Sequence, residues 1–226
     1  MKILAIIPAY NEEDCLETTV KEFEEVCPNV DYLVINDGSK DHTPEICDEL
    51  GLNHIDMPIN TGLASGFRAG MKYALKHHYD AVVQFDSDGQ HIPSYIPLMA
   101  KKLEETGCDI VLGSRYLAGE KAAGLRNVGS RIISHMIRMA THITITDPTC
   151  GLRMYGKQMI PLFAKGFDLE PEPDTMALLL RNGVTVCEIP ISIRQRQGGT
   201  SYLNPFRASR YMLRTLASLV LFVWFR

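Results

Sequence analysis

What most constrains this chain is the order in which short apolar runs and helix-like segments alternate. Lys2–Ile7, Asp31–Ile35, His54–Met57 and Ala81–Phe85 have strand length and β-branched content, and a polar or glycine-containing loop follows each. Between them, segments of about Glu12–Val26, Pro44–Leu50 and Ala64–His77 read as helices. Asn11 is placed as the N-cap of the first, with acids in its first turn. This alternation predicts an α/β domain with a mostly parallel sheet and helices on both faces. Such sheets bind ligands beyond the carboxyl ends of their strands. The loops after Ile7, Ile35, Met57 and Phe85 are therefore expected to meet at one site.

The fourth loop carries the plainest chemistry. The run Ala81–Phe85 ends in Asp86-Ser87-Asp88-Gly89-Gln90. Residues i and i+2 of an extended segment point the same way, so Asp86 and Asp88 can aim at one point. Two carboxylates there repel unless a cation lies between them. Mg²⁺ or Mn²⁺ suits such oxygen donors, and Mg²⁺ completes its shell with waters and substrate phosphates. The bland alternative is an acidic loop that caps a helix. The neighbouring loops fit a nucleotide: Tyr10 against a base or ribose, Asp37 accepting from a base or sugar edge, Gly62 for close backbone approach, and Arg68 to offset phosphate charge. Singly, each also has an ordinary structural explanation.

Five segments in this order and spacing resemble glycosyltransferase family 2, in the branch of the dolichyl-phosphate mannose synthases. They are Ile-Pro-Ala-Tyr-Asn-Glu, Asn-Asp-Gly-Ser, Asn-Thr-Gly-Leu, Asp-Ser-Asp-Gly-Gln and Gly-Ser-Arg-Tyr, and the likeness covers about residues 2 to 200. The resemblance implies a GT-A fold and inverting, metal-dependent transfer of a sugar from a nucleotide-sugar donor. By it, Pro8, Tyr10, Glu12 and Asp37 line the nucleoside pocket, and Asp86, Asp88 and Gln90 hold the metal and diphosphate. The family more often has Asp-Asp-Gly-Ser, where this chain begins with Asn36.

The second half is expected to bind the acceptor. Pro93–Thr106 reads as a helix, Asp109–Leu112 as a strand, and Leu125–Arg131 opens a helix to about Ala140. The apolar residues of that helix could lie on a membrane or pack on the core. In similar polyprenyl-phosphate enzymes, residues at Arg115 and Arg131 contact the lipid phosphate. Asp147-Pro-Thr-Cys-Gly-Leu-Arg resembles the family's Asp-x-x-Ser-Gly-Phe-Arg, and Glu172 and Asp174 fall at its Glu-x-Glu, ahead of a helix to about Asn182. Asp147, Glu172 and Asp174 are the candidate catalytic carboxylates. A sugar hydroxyl as nucleophile would use a base; a lipid phosphate is already anionic. A strand follows at Val184–Ile189, then a loop like the family's Arg-x-x-Gly-x-Ser, with Arg196 and Ser201 in register for phosphate. Tyr202 stands where relatives often have lysine, which leaves room for an acceptor already bearing a sugar.

The tail from Pro205 to Arg226 reads as an amphipathic helix, with Arg207, Arg210 and Arg214 at helical spacing. Its uninterrupted apolar part is shorter than the roughly 20 residues that cross a bilayer. A membrane interface, or a membrane-protein partner, suits a basic helix ending in Trp and Phe. The expected organisation is one GT-A domain, 1–203, and an interfacial helix, 204–226. Net charge is −4, so overall charge makes no case for nucleic acid. The six scattered cysteines form no Cys-x-x-Cys, and the N-terminus has no signal-peptide pattern. A cytoplasmic protein, peripheral on the inner face of a membrane, is expected. The acceptor is taken as a lipid-linked saccharide. Transfer straight to polyprenyl phosphate and a silent subunit of a membrane complex are the competing readings, and a homo-oligomer is left open.

Overall fold

The computed structural model describes residues 1–117, 125–166, 169–195 and 214–221. The first half follows the expected alternation. It runs β1 (Ile3–Ala9), α1 (Leu16–Val26), β2 (Asp31–Asn36), α2 (Thr43–Glu49), β3 (His54–Asp56), α3 (Leu63–Lys76) and β4 (Ala81–Gln84). The second half is α4 (Tyr95–Thr106), β5 (Ile110–Ser114), α5 (Leu125–Thr141), β6 (Arg153–Gly156), α6 (Met159–Lys165), α7 (Pro173–Arg181) and β7 (Val186–Pro190). A further helix spans 214–221.

The seven strands form one sheet in the order β3-β2-β1-β4-β6-β5-β7. β3, β2, β1 and β4 are mutually parallel, so their carboxyl ends share one edge. β6 runs antiparallel between β4 and β5, with Gln84 opposite Arg153. β5 and β7 are parallel. Strand periodicity divides the core. Leu4 and Ile6 face one layer, with Phe67 and Met71 of α3, Phe163 of α6 and Leu179 of α7. Ile3, Ala5 and Ile7 face the other, with Val20 and Phe23 of α1 and Met99 of α4. Continuous apolar strands such as β1 are what burial on both faces requires.

Two sequence expectations need correction. Asn11 does not cap α1: the helix starts at Leu16, and Cys15 holds the cap position without a side-chain capping bond. Asn11 is instead left-handed, at φ 55°. β6 and α6 were not anticipated; they fill the stretch between the Asp147 loop and Glu170.

Candidate active site

At the shared strand edge, the loops after β1 and β2 are laced together. The Asn11 N–H donates to Ser39 Oγ at 3.0 Å, and Asn11 Oδ1 accepts from the Lys40 N–H at 2.8 Å. The Glu12 N–H donates to Thr43 Oγ1 at 2.9 Å, and Glu13 Oε2 accepts from the His42 N–H at 2.9 Å. Asparagine tolerates the left-handed region better than most residues, and here its amide spans the gap. Asp37 is buried and faces the loop after β3. Its Oδ1 accepts from Thr61 N–H and Oγ1 at 2.8 and 2.9 Å, and its Oδ2 from the Gly62 N–H at 2.7 Å. Gly38 allows the crossing, since a Cβ there would lie 2.6 Å from the Ile59 carbonyl carbon. The nucleoside candidates Pro8, Tyr10, Glu12, Asp37, Gly62 and Arg68 thus come from the end of β1, the loops after β1, β2 and β3, and the first half of α3. Asn36 is turned away: its Nδ2 donates to Asp56 Oδ1 at 2.7 Å, and its Oδ1 accepts from Ser39 N–H at 3.1 Å.

The loop after β4 is held from below. Ser87 Oγ donates to the Pro8 carbonyl at 2.7 Å, and the Ser87 carbonyl accepts from Thr19 Oγ1 at 2.9 Å. Asp88 Oδ1 accepts from the Gln90 N–H at 3.1 Å. The Asp86 N–H donates to His91 Nδ1 at 3.1 Å, which puts the histidine proton on Nε2, 3.6 Å from Asp86 Oδ2. A Cβ at Gly151 would lie 2.8 Å from that same oxygen, so a side chain there would displace the Asp86 carboxylate from its present position. Among the described residues no three His, Cys, Asp or Glu side chains converge as a metal site. One or two carboxylates held open at a strand end fit a hard divalent ion that takes its other ligands from a diphosphate and water.

Beside this loop stands an ion pair that is half-buried on its arginine side. Arg115 donates through Nε to Asp147 Oδ2 at 2.6 Å and through Nη2 to Asp147 Oδ1 at 2.7 Å, and its backbone N–H reaches Oδ2 at 3.2 Å. Asp147 is wholly buried. The bond to Asp147 holds the guanidinium proton more firmly than usual, outweighing the effect of burial. Glu188 of β7 accepts from the backbone N–H groups of Thr146 and Asp147, at 2.9 and 3.1 Å, and so fixes this loop. Arg153 of β6, 4% exposed, donates to three carbonyls, of Cys150, Pro171 and Pro148, each at 2.8 Å. It ties the Asp147–Gly151 loop to the segment carrying Glu172. The Cys150 thiol between them is pushed up to about 12 by burial.

Arg131 belongs to a cavity of about 270 Å³ lined also by Tyr116, Ser134, His135, Arg138, Thr144 and Thr146. Arg131, His135 and Arg138 project from one side of α5, at i, i+4 and i+7. Thr146 joins this cavity to the Arg115–Asp147 pair. Glu172 occupies the N-cap position of α7 and is half-buried, and its side chain makes no capping bond. Asp174 Oδ1 accepts from the Thr175 N–H at 3.0 Å, and its Oδ2 from Ser218 Oγ at 2.7 Å. Arg196 and Ser201 lie outside the described residues, as do Arg207, Arg210 and residues 222–226 of the tail.

The signature of glycosyl transferase family 2 matches residues 4–161. The chain belongs to that family. It is 30% identical over 218 residues to polyprenol monophosphomannose synthase of Mycolicibacterium smegmatis, covering 90% of this chain and 81% of that protein. It is 28% identical over 218 residues to undecaprenyl-phosphate mannosyltransferase of Micrococcus luteus, covering 90% of this chain and 88% of that one. Its structure superposes on glucosyl-3-phosphoglycerate synthase of Mycobacterium tuberculosis, solved with Mn²⁺, UDP and phosphoglyceric acid, with a TM-score of 0.73. That match covers 100% of this chain and 79% of the other at 18% identity, and it speaks for the fold alone. The sheet is thus the mostly parallel GT-A type.

In this glycosyltransferase, sequence reasoning gives no role to His91 or Glu188, and it includes Gly151 and Arg153 only as members of the Asp147 motif. Glu188 left a signal: it is the lone acid in the strand-like run Val184–Ile189. The signal for Arg153 is its place as the last residue of the Asp147 motif. Nothing in spacing foretold that Gly151 would face Asp86, since 65 residues separate them (151 minus 86).

Proposed function

We propose that this glycosyltransferase moves a sugar, with inversion and with a divalent ion, from a nucleotide-sugar donor directly to a polyprenyl phosphate, working as a peripheral protein at the inner face of a membrane. The observation that carries this reading is the cavity of Arg131, His135 and Arg138 beside the Arg115–Asp147 pair. Two arginines and a histidine suit a phosphate headgroup. The polyprenyl-phosphate names of the two relatives support the same acceptor class.

The carboxylates favour this acceptor over a sugar hydroxyl. Asp147 is fully buried and has both oxygens bonded to Arg115, away from any incoming hydroxyl. Asp174 is engaged by Ser218. A phosphate oxygen arrives charged and needs no base. Asp86, Asp88 and Gln90 would hold the metal and diphosphate, and the ion would supply Lewis-acid stabilisation of the leaving diphosphate. Tyr10, Glu12 and the loops set by Asp37 hold the nucleoside. Arg131 with its neighbours on α5 holds the acceptor phosphate on the far side of the transferred sugar. Glu172 orients that sugar through its hydroxyls. Among the described residues no helix is long and apolar enough to cross a membrane.

The test is product identity. The full chain is incubated with GDP- and UDP-linked hexoses, Mn²⁺ and vesicles holding undecaprenyl phosphate or a lipid-linked disaccharide. A monophosphate-linked hexosyl lipid is expected. Elongation of the disaccharide alone would refute direct transfer, and no turnover of any donor would favour the silent subunit.

A further inference from the structure

The helix at 214–221 turns one face into the body of the protein. Leu219 is fully buried in the core layer that holds Ile133 and Ile137 of α5 and Leu180 of α7, and Thr215 is buried beside it. From the same helix two polar side chains reach one short segment. Ser218 Oγ donates to Asp174 Oδ2 at 2.7 Å, and Arg214 Nη2 lies 3.8 Å from Glu170 Oε2. Positions 214 and 218 are neighbours along a helix face, and their partners are also four apart. One turn of helix therefore brackets the segment 170–174, with Glu172 at its middle.

The segment is fixed from the other side as well. Arg153 donates to the Pro171 carbonyl and also to those of Pro148 and Cys150. Those two flank Thr149 and lead into Gly151, which faces Asp86. Pro171 and Pro173 restrict the backbone on either side of Glu172. The direction of Glu172 is thus set by two anchors, one leading to the Asp86 loop and one to the C-terminal helix.

We infer that Ser218 is a positioning residue for sugar transfer: through Asp174 it fixes the segment that aims Glu172 at the transferred sugar. This rests on the function proposed above, in which Glu172 touches the sugar. Ser218 itself touches no substrate. Its bond to a carboxylate is of the charge-assisted kind, roughly twice as strong as a neutral one. The C-terminal helix becomes part of the catalytic scaffold.

The test is a double-mutant cycle on the full chain, with undecaprenyl phosphate vesicles, Mn²⁺ and the donor that the wild type turns over. Wild type, Ser218→Ala, Ser218→Thr, Glu172→Gln and the Ser218→Ala/Glu172→Gln double variant are compared. We expect Ser218→Ala to lower kcat about tenfold, the scale of one lost bond to a charged group. Its Kd for the nucleoside diphosphate, read by calorimetry, should stay within about twofold of wild type. Ser218→Thr keeps the hydroxyl and should recover most of the rate. The double variant should be no slower than Glu172→Gln alone, because the serine acts through the glutamate. Multiplying losses in the double variant, or a nucleotide affinity that falls together with kcat, would assign Ser218 a merely structural role. An unchanged kcat in Ser218→Ala overturns the positioning role and leaves the proposed function standing. A wild-type chain that binds nucleotide yet transfers to no lipid phosphate overturns that function, and this role with it.

Discussion

Replacing Arg153 by methionine should destabilise the protein and loosen its site together. The guanidinium is buried and donates to three carbonyls at 2.8 Å. Methionine matches part of its volume and none of its bonds. Each buried acceptor left unsatisfied costs about 1–3 kcal/mol. Removing a cation from the interior returns part of its desolvation cost, so about 3–4 kcal/mol net is expected. For a chain of this length that lowers Tm by about 6–16 °C, at about 2–4 °C per kcal/mol. Arg153→Lys keeps a charge without the planar fork, so it should fall between wild type and Met. Thermal melts give the first number. The second readout is kcat at a temperature where all variants are folded, because the Asp147–Gly151 loop and the Glu172 segment lose their common tie. An Arg153→Met variant with Tm within about 2 °C of wild type and an unchanged kcat would refute the account, since the loss must exceed about 1 kcal/mol if even one carbonyl is stranded.

Other outcomes follow from single contacts. Gly151→Ala places a methyl 2.8 Å from Asp86 Oδ2 and forces the carboxylate aside; calorimetry should show Mn²⁺-dependent nucleotide binding weakened about tenfold or more, with the fold retained. Asn36→Asp sets a second carboxylate against Asp56, whose Oδ1 now accepts from the Asn36 amide at 2.7 Å. The variant should lose about 1–2 kcal/mol at pH 7 and less near pH 4, where one carboxyl protonates and the repulsion ends; equal losses by denaturant titration at both pH values would exclude repulsion. Burial holds Cys27 and Cys47 up to about 11 and Cys150 up to about 12, from 9.0. A raised thiol contributes stability in full below its unfolded value and loses it as pH climbs toward the folded one. Urea midpoints should therefore fall steadily between pH 9 and 12, and Cys150→Ser should flatten part of that fall.

The first half of the fold could be read from its sequence because each element there is long, regular and bounded. Val82-Val83 and Ile3–Ile7 are continuous apolar strands, and Ala64–His77 repeats at helical spacing. The N-cap at Asn11 was misplaced because asparagine serves two ends: it caps helices and it accepts positive φ, and here the bond to Lys40 favours the second use. β6 escapes a reading of periodicity because Arg153-Met-Tyr-Gly is short and opens with a charged side chain, whose bonds to the carbonyls of Pro148, Cys150 and Pro171 are tertiary. α6 contains Pro161, which reads as a break until its place in the first turn of the helix is known. The candidate carboxylates were named from likeness to a family, and what separates them is tertiary. Asp147 meets Arg115 across 32 residues, and Asp174 meets Ser218 across 44. No periodicity links such pairs.

The antiparallel course of β6 has a consequence for how this scaffold can change its substrates. β5 and β6 are hydrogen-bonded neighbours, with Leu112 opposite Arg153. The chain therefore leaves the sheet at Arg115 and returns beside the point of departure, having made α5 and the Asp147 loop on the way. Everything from 115 to 152 is one excursion with both ends on adjacent strands, and the strand order is indifferent to its contents. On the function proposed above, the block that carries Arg131 is a cassette whose two joints lie side by side, and the loops of β1 to β4 lie outside it.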